Sequence, residues 1–540
     1  MTIEEDAYKY AIKNAALHSG KAEIGAIVGK IKALHQQLDV KKAMQIAAEA
    51  VRKVNALSPE EISAEFGQFE KQGYELKPKE KEEKLPMLEW AEKEKVVTRF
   101  APNPNAPFHL GNARTALLSK EYAVRYNGKF ILRFDDTDPK VKKPIDNAEE
   151  VFREDLEWLG CTPDETLFAS DRLEIYYDYM RKAIEKNAAY VCDCPVEEWR
   201  KKIRKKSGCK CRDLKPKEQL ARFEKMVSNE TKEGQAVLRI KTDLLHPDPS
   251  VRDWWAAKIV DNPQHPNAKA VGMHVWPSYN FASAIDDHLL EVTLIIRGQE
   301  HEQNKTKQEF LYKSFGWTYP HCFHIGRISL QGMVLSKSKI KEGIEKGEFS
   351  GWDDPRIGTI KALRKRGFKA EALKEALFDL GVNTNDSTIQ MAKIIDLNKK
   401  LIEPESDRLS FVLEPMQLEV NFAPEGMSRL IVDKRQFEKF ELGKVVRLRS
   451  LFNVRILRKD ELQAFAEFVG TAKIDVPIVN WFRQGIDVEL LTDDNKKMLF
   501  LADEAIAAKQ PGDRVYFDRL GFCIVDENKG GRILLRLTHK

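Results

Sequence analysis

The sequence predicts a multidomain protein. An all-α N-terminal module leads into an α/β core with a parallel sheet, an α+β insertion divides that core, and a helical region and all-β barrels follow. Three observations predict this. Residues 95–134 run strand, loop, helix, strand, the βαβ unit that seeds a parallel sheet with a ligand crevice at its carboxyl edge. Four of the seven cysteines and a basic run fall in one proline-rich stretch near the middle. Beyond about Leu401, short strand-like runs alternate with Gly, Asp, Asn and Pro. At 540 residues the chain also exceeds what one core organises.

The elements follow in order. Residues 1–76 are expected to be helical throughout: AMQIAAEAVRKVNAL spaces its apolar residues by three and four, and Ser58 stands as a cap before Pro59. Residues 77–94 open with the charged, proline-bracketed KPKEKEEKLP, the composition of a linker. Residues 95–191 form the first half of the core: the strand VVTRF, a Pro/Asn loop, a helix closed by Asn127-Gly128, and the strand KFILRF ending in DDTD. Residues 192–275 read as a less regular insertion. Residues 276–345 resume the core with the buried strand in LLEVTLIIRGQE, and 346–400 carry a helical pair broken by Gly. Residues 401–540 hold RLSFVL, KVVRLRSLFNVRIL, DVELL, DRVYF, FCIVD and RILLRL, spaced as in one or two antiparallel barrels.

Composition narrows the function. With 42% hydrophobic and 32% charged residues the chain is a folded, strongly charged protein, and a net charge of +5 tolerates a polyanionic partner without requiring one. Seven cysteines in so long a chain form no disulfide framework, which favours a reducing compartment. The start MTIEEDAYKY lacks the apolar core of a signal peptide, and no run approaches the ~20 apolar residues that span a bilayer. A cytoplasmic location with no membrane partner is expected.

Two short stretches carry chemistry. In RFAPNPNAPFHLGNART (Arg99–Thr115) a histidine and a glycine meet the start of a helix, where free N–H groups and the dipole favour an anion. His109 and Asn112 would add side-chain donors, and Gly111 would let a ligand approach. G-x-G-x-x-G and G-x-x-x-x-G-K-[ST] are both absent, which disfavours a dinucleotide site or a P-loop. In VLSKS (Val334–Ser338), Lys337 offers a point charge to phosphate on a mobile loop. Either stretch alone is a weak signal: most His-x-Gly-Asn tetrapeptides are plain turns, and Ser-Lys runs are common on surfaces.

Together they resemble the two signatures of the class I aminoacyl-tRNA synthetases. TRFAPNPNAPFHLGNAR, LRFDDTDP, PSYNFASAIDDHLLEVTLIIRGQEH and GRISLQGMVLSKSK, in that order, narrow the resemblance to the glutamyl/glutaminyl branch. The helical leader and barrel-like tail look like the archaeal or eukaryotic form of the glutamyl enzymes. The resemblance implies a Rossmann-like catalytic core, an acceptor-binding insertion, stem-contact helices and anticodon-binding barrels. It implies an ATP-dependent ligase that takes L-glutamate to glutamyl-adenylate with Mg2+ and loads it onto tRNA(Glu), and onto tRNA(Gln) if the enzyme is non-discriminating. A glutaminyl enzyme and a non-catalytic tRNA-binding scaffold are the alternatives. In each case the leader could dock another protein.

Residue by residue, the resemblance gives ATP to Asn103, Pro104, Asn105, His109, Gly111, Asn112, Gly298, Arg327, Ile328, Leu335, Ser336 and Lys337. His109, Asn112 and Lys337 are its catalytic set. Asp135 would receive the substrate ammonium and Tyr279 would touch its side chain. Arg99 and Arg297 would grip a carboxylate, which a neutral amide satisfies poorly; the glutaminyl branch typically lacks an arginine matching Arg297. Two positions depart from the pattern: the second histidine of the first signature is Asn112, and the first lysine of the second is Val334.

Cys192-x-Cys194 and Cys209-x-Cys211 are separated by fourteen residues, the arrangement of a tetrahedral zinc site or of four free thiols; related enzymes carry zinc in this insertion. Cys161, Cys322 and Cys523 stand alone, and His274, His288, His321 and His324 read as packing residues. RKKIRKK (Arg200–Lys206) and RKRG (Arg364–Gly367) are either solvated faces or phosphate contacts.

Overall fold

The computed structural model describes residues 2–17, 20–35, 38–71 and 85–540, which divide into two compact units, Met1–Glu83 and Lys84–Lys540. The first unit holds the helices Ile3–Leu17, Ile24–Leu34, Val40–Val54 and Pro59–Lys71. Ala7, Ala11 and Ala15 recur on one buried face, and the small side chains let Ala47 and Val54 of the third helix approach. Ser58 and Glu61 form a capping box: the Ser58 hydroxyl accepts from the Glu61 N–H at 3.2 Å, and the Glu61 carboxylate accepts from the Ser58 N–H at 2.7 Å.

Of the expected linker, residues 77–84 lie outside the described residues. The remainder, 85–94, is no linker. Leu85 and Leu88 are buried with Val96, Leu118 and Tyr122, and Trp90 stacks on His321 at 4.2 Å. Three apolar side chains between the charges had a surface to cover, which composition does not reveal.

The second unit is organised by five parallel strands: β1 (Val97–Phe100), β2 (Lys129–Phe134), β3 (Glu165–Phe168), β4 (Leu294–Gly298) and β5 (His321–Ile325), in the order β3-β2-β1-β4-β5. The middle strands are buried almost along their whole length, so that Thr98, Arg99, Arg133 and Arg297 are buried among apolar neighbours. Helix α1 (Leu110–Arg125) connects β1 to β2, and α2 (Tyr279–Leu289) precedes β4; α3 (Glu302–Phe315) and α4 (Lys337–Glu345) follow. Gly128 closes the α1 turn where a Cβ would stand 1.9 Å from the Val96 carbonyl oxygen, so only glycine fits.

The insertion is more regular than its prolines predict. Ala189–Cys192, Val237–Ile240, Trp255–Ile259 and Val275–Pro277 form a four-stranded antiparallel sheet with helices Val196–Arg204 and Pro216–Val227. Pro216 begins its helix, where proline has no N–H to lose. Helices Ile360–Lys365, Ala370–Phe378 and Met391–Ile402 come next, and Leu363 and Leu373 share a core with Leu110 and Ala113 of α1.

The C-terminal region forms two seven-stranded, barrel-like sheets. They are mixed, not antiparallel as expected. Gln417–Asn421 runs parallel to Gln463–Glu467, and Val488–Leu491 parallel to Ile533–Arg536. Alternating hydropathy identifies strands, but which distant strand lies alongside sets their direction. Among the described residues no helix is long and apolar enough to cross a membrane.

Candidate active site

A cavity of about 950 Å³ opens at the carboxyl ends of β1, β2 and β4. Thirteen residues singled out in the sequence line it: Arg99, Asn103, His109, Gly111, Asn112, Asp135, Tyr279, Arg297, Gly298, Arg327, Ile328, Leu335 and Ser336. Pro104, Asn105 and Lys337 are not on its wall. Pro104 and Asn105 shape the loop from behind: Asn103 donates to the Asp135 carbonyl at 3.0 Å, the Asn103 amide oxygen accepts from the Asn105 N–H at 3.2 Å, and the Pro104 carbonyl accepts from Ile145.

The start of α1 differs from expectation. Its backbone donors are not free for an anion. The Leu110 N–H bonds the Gly358 carbonyl, the Gly111 N–H bonds Nδ1 of His109 at 3.0 Å, and the N–H groups of Asn112 and Ala113 both reach the His109 carbonyl. Gly111 makes room for the His109 ring: a Cβ there would lie 2.8 Å from the ring carbon. With Nδ1 accepting, the ring proton sits on Nε2. Burial, helped by Lys337, pushes the His109 pKa down to about 4, so the ring is a neutral donor. The Asn112 amide oxygen is buried without a protein partner.

Lys337 is the first residue of α4, and its ammonium donates at 3.3 Å to the carbonyls of both Asn103 and Ala106. Burial, with Lys142 nearby, lowers its pKa to about 8. Val334 bridges Ile357 and accepts from the Gly358 N–H, while Leu110 bonds the same glycine from the other side. The short segment 357–360 thus ties the two sequence signatures together.

At the far end a buried charge cluster forms. Arg99 grips Asp287 through Nε at 3.1 Å and Nη2 at 3.3 Å. Arg133 donates to Asp287 at 2.9 Å, to Ser283 at 2.9 Å and to Asp135 at 3.0 Å. Burial holds the Asp135 carboxyl up at about 6 against the pull of Arg133 and Arg99, and its second oxygen is buried with no protein partner. Burial acts to raise the Asp287 pKa, but Arg99 and Arg133 together carry it below the usual carboxylate range. Arg297 donates to Gln308 and to the Tyr319 hydroxyl, both at 3.0 Å, and its Nε is unpartnered. These partners are neutral: among the described residues no carboxylate pairs with Arg297, although it is only 4% exposed. Sequence reasoning passed over Arg133 and Asp287. Their signal is a charge inside the apolar run KFILRF and another on the buried face of α2.

The four insertion cysteines meet. Cys192 and Cys209 sulfurs are 3.8 Å apart, Cys194 and Cys211 3.6 Å, and all four lie within 4.8 Å of one another. Four zinc–sulfur bonds of about 2.3 Å at tetrahedral angles would separate sulfurs by about 3.8 Å, so the donor set fits that metal. Of the basic runs, Arg200 and Arg204 line a second cavity, of about 700 Å³, with Arg239, Arg252, Lys307, Trp199, Trp254 and Trp255. Among the described residues its wall carries no carboxylate, and it shares Trp255, Ser278 and Tyr279 with the wall of the first cavity. RKRG is different. Arg366 is buried, bonding the Pro355 and Thr538 carbonyls, and Arg364 pairs with Glu154, so both are engaged within the protein.

Comparison with known proteins fits this arrangement. The family model described as "tRNA synthetases class I (E and Q), catalytic domain" matches residues 95–404. The glutamate–tRNA ligases of Thermococcus kodakarensis and Pyrococcus abyssi are each 44% identical over the whole of both chains, and that of Methanothermobacter marburgensis is 37% identical over the same extent. Among solved structures, a glutamate tRNA ligase from Elizabethkingia meningosepticum aligns with 58% of this chain and 70% of its own, at 23% identity and a TM-score of 0.43. With the family model covering more than half of its length and relatives this similar from end to end, the chain belongs to the class I tRNA synthetases of the glutamate and glutamine branch.

Proposed function

We propose that this chain is an ATP-dependent glutamate–tRNA ligase: it converts L-glutamate and ATP to glutamyl-adenylate and pyrophosphate, then transfers glutamate to the 3′-terminal adenosine of tRNA(Glu). The observation that carries the choice of amino acid is Arg297, a buried guanidinium whose protein partners are all neutral. Arg99, Arg133 and Arg297 supply three positive charges against two negative ones from Asp135 and Asp287, leaving the cluster at +1. Glutamate, with two carboxylates and one ammonium, brings −1. Its ammonium meets the free oxygen of Asp135, and a carboxylate neutralises Arg297. Glutamine would leave that cation buried and unpaired.

ATP is assigned to the other end of the cavity, with Mg2+ on its phosphates. We read the parallel sheet as Rossmann-like, with the nucleotide lying over the strand ends. Ile328 and Leu335 offer apolar wall to the adenosine, and Gly298 and Arg327 border it. His109 donates from Nε2 and Asn112 contributes its amide. The glutamate α-carboxylate attacks the α-phosphorus and pyrophosphate leaves; Lys337, released from the loop carbonyls, would neutralise the leaving phosphates. The 2′-hydroxyl of the terminal adenosine then attacks the acyl carbon and AMP departs. The protein positions reactants and balances charge.

The tRNA end is assigned to the tryptophan-lined basic cavity, where cations meet phosphates and indoles stack on unpaired bases. Zinc held by Cys192, Cys194, Cys209 and Cys211 would cross-link the insertion beside it. The C-terminal sheets are assigned to the anticodon. The purified chain should form glutamyl-tRNA and release AMP and pyrophosphate when given glutamate, ATP and tRNA(Glu). Parallel reactions with tRNA(Gln) define the tRNA range. A preference for glutamine, or no AMP release with either amino acid, refutes the proposal.

A further inference from the structure

We propose that Asp287 is a positioning residue for the amino-acid pocket: it fixes how Arg99 meets the substrate and couples that arginine, through Arg133, to the ammonium acceptor Asp135. This rests on the reading of Arg99 and Asp135 as glutamate-binding groups. Asp287 lies in the last turn of α2, is buried and does not line the cavity. Its two oxygens take both Nε and Nη2 of Arg99, a fork that leaves Nη1 as the edge without a partner among the described residues. A guanidinium held at two of its three nitrogens cannot rotate about its chain, so Nη1 is presented in one orientation. The same carboxylate accepts Nη1 of Arg133 at 2.9 Å and the Ser283 hydroxyl at 3.4 Å. Arg133, fully buried, then spans 3.0 Å to Asp135 with Nε, pinning one oxygen of Asp135 and leaving the other without a protein partner. One buried carboxylate thus organises both groups proposed to grip the substrate. The neighbouring Asp286 is committed elsewhere, bonding Arg172 at 2.7 Å and the Tyr176 hydroxyl at 2.6 Å, and it comes no nearer to Arg133 than 3.9 Å. The fork on Arg99 belongs to Asp287.

The test measures ATP–pyrophosphate exchange with the full chain in the presence of tRNA: wild type, Asp287→Asn, Arg99→Gln, the double variant, Ser283→Ala and Asp286→Asn, each with a melting curve. Asp287→Asn keeps the shape but turns an amide N–H₂ toward Arg99 or Arg133. The glutamate KM should rise at least about 30-fold while the ATP KM stays within about threefold. The double variant should raise the glutamate KM by less than the product of the two single effects, because Asp287 acts in part through that arginine and in part through Arg133. Ser283→Ala, which removes one ligand of Asp287 and one of Arg133, should raise the glutamate KM less and remain folded. It keeps the inference testable if Asp287→Asn melts below the assay temperature. An unchanged glutamate KM in Arg99→Gln would sink the reading of the pocket itself. A raised KM in Arg99→Gln with unchanged values in Asp287→Asn and Ser283→Ala would sink only the inference. So would equal effects of Asp287→Asn and Asp286→Asn, or equal increases in glutamate and ATP KM, since both mark a merely structural acid.

Discussion

Replacing Arg297 by Gln isolates the group on which the choice of amino acid rests. In the free protein the change is mild: Tyr319 already donates to Gln308 at 2.7 Å, so both former partners keep a bond when the guanidinium goes. No carboxylate is left stranded, because none pairs with Arg297 among the described residues. The loss therefore falls on the bound state. Removing one member of a buried, hydrogen-bonded charge pair costs about 2–5 kcal/mol. With little reorganisation of the free protein, about 3 kcal/mol is the reasonable centre, or roughly 150-fold in the glutamate KM at 1.4 kcal/mol per decade. The glutamate-to-glutamine preference should collapse by a similar factor, since only the charged substrate loses a partner. Exchange and aminoacylation with both amino acids, on a variant whose melting temperature matches wild type, measure this. A folded variant whose glutamate KM moves less than about threefold would refute the assignment of Arg297 to the substrate carboxylate.

Three further outcomes are expected. Asp135, with its carboxyl held up at about 6, must be ionised to receive the ammonium; kcat/KM for glutamate should fall about tenfold per pH unit below that value, be flat above it, and lose this acid limb in Asp135→Asn. Lys337→Ala should slow adenylate formation about 10²–10³-fold at saturating substrates with a nearly unchanged glutamate KM, because its charge matters as pyrophosphate leaves; a change confined to KM would contradict that role. Metal analysis of the purified chain should find one zinc per chain, and Cys209→Ser should release it; zinc retained in that variant would argue against the four-cysteine set.

The sequence carried the strand–loop–helix–strand core because periodicity and turn chemistry are local, and the cavity formed at the strand ends as parallel connections require. What it hid was partnership. The α1 N-terminus read as a bare anion nest, yet the Gly358 carbonyl and the His109 ring had already taken its donors from residues far away or folded back. Arg366 read as either a solvated residue or a phosphate contact, yet it bonds the Thr538 carbonyl, which lies 172 positions on. Leu85 and Leu88 read as linker until the surface they cover was present. Asp287 escaped notice because a buried acid looks like any other acid until its two arginines converge on it.

The two arginines that flank the amino-acid end are not equivalent, and the difference explains how the site could discriminate by charge. Arg99 is already neutralised by Asp287, so its contact with a ligand is a matter of orientation. Among the described residues the hydrogen-bond partners of Arg297 are a phenol and an amide, dipoles that stabilise a cation without cancelling it. A neutral side-chain amide offers Arg297 one more dipole and nothing else, so the cost of burying the cation persists in that complex. A carboxylate removes it. Discrimination then comes as much from the penalty left by the wrong substrate as from the attraction to the right one. Adding a carboxylate beside Arg297 from the protein side, as in Gln308→Glu, should therefore weaken glutamate and spare glutamine. The introduced carboxylate would take the place of the substrate's anion, and the ratio of kcat/KM values for the two amino acids should fall at least about tenfold in this variant. An unchanged ratio in a folded protein would mean that the charge on Arg297 does not select the substrate.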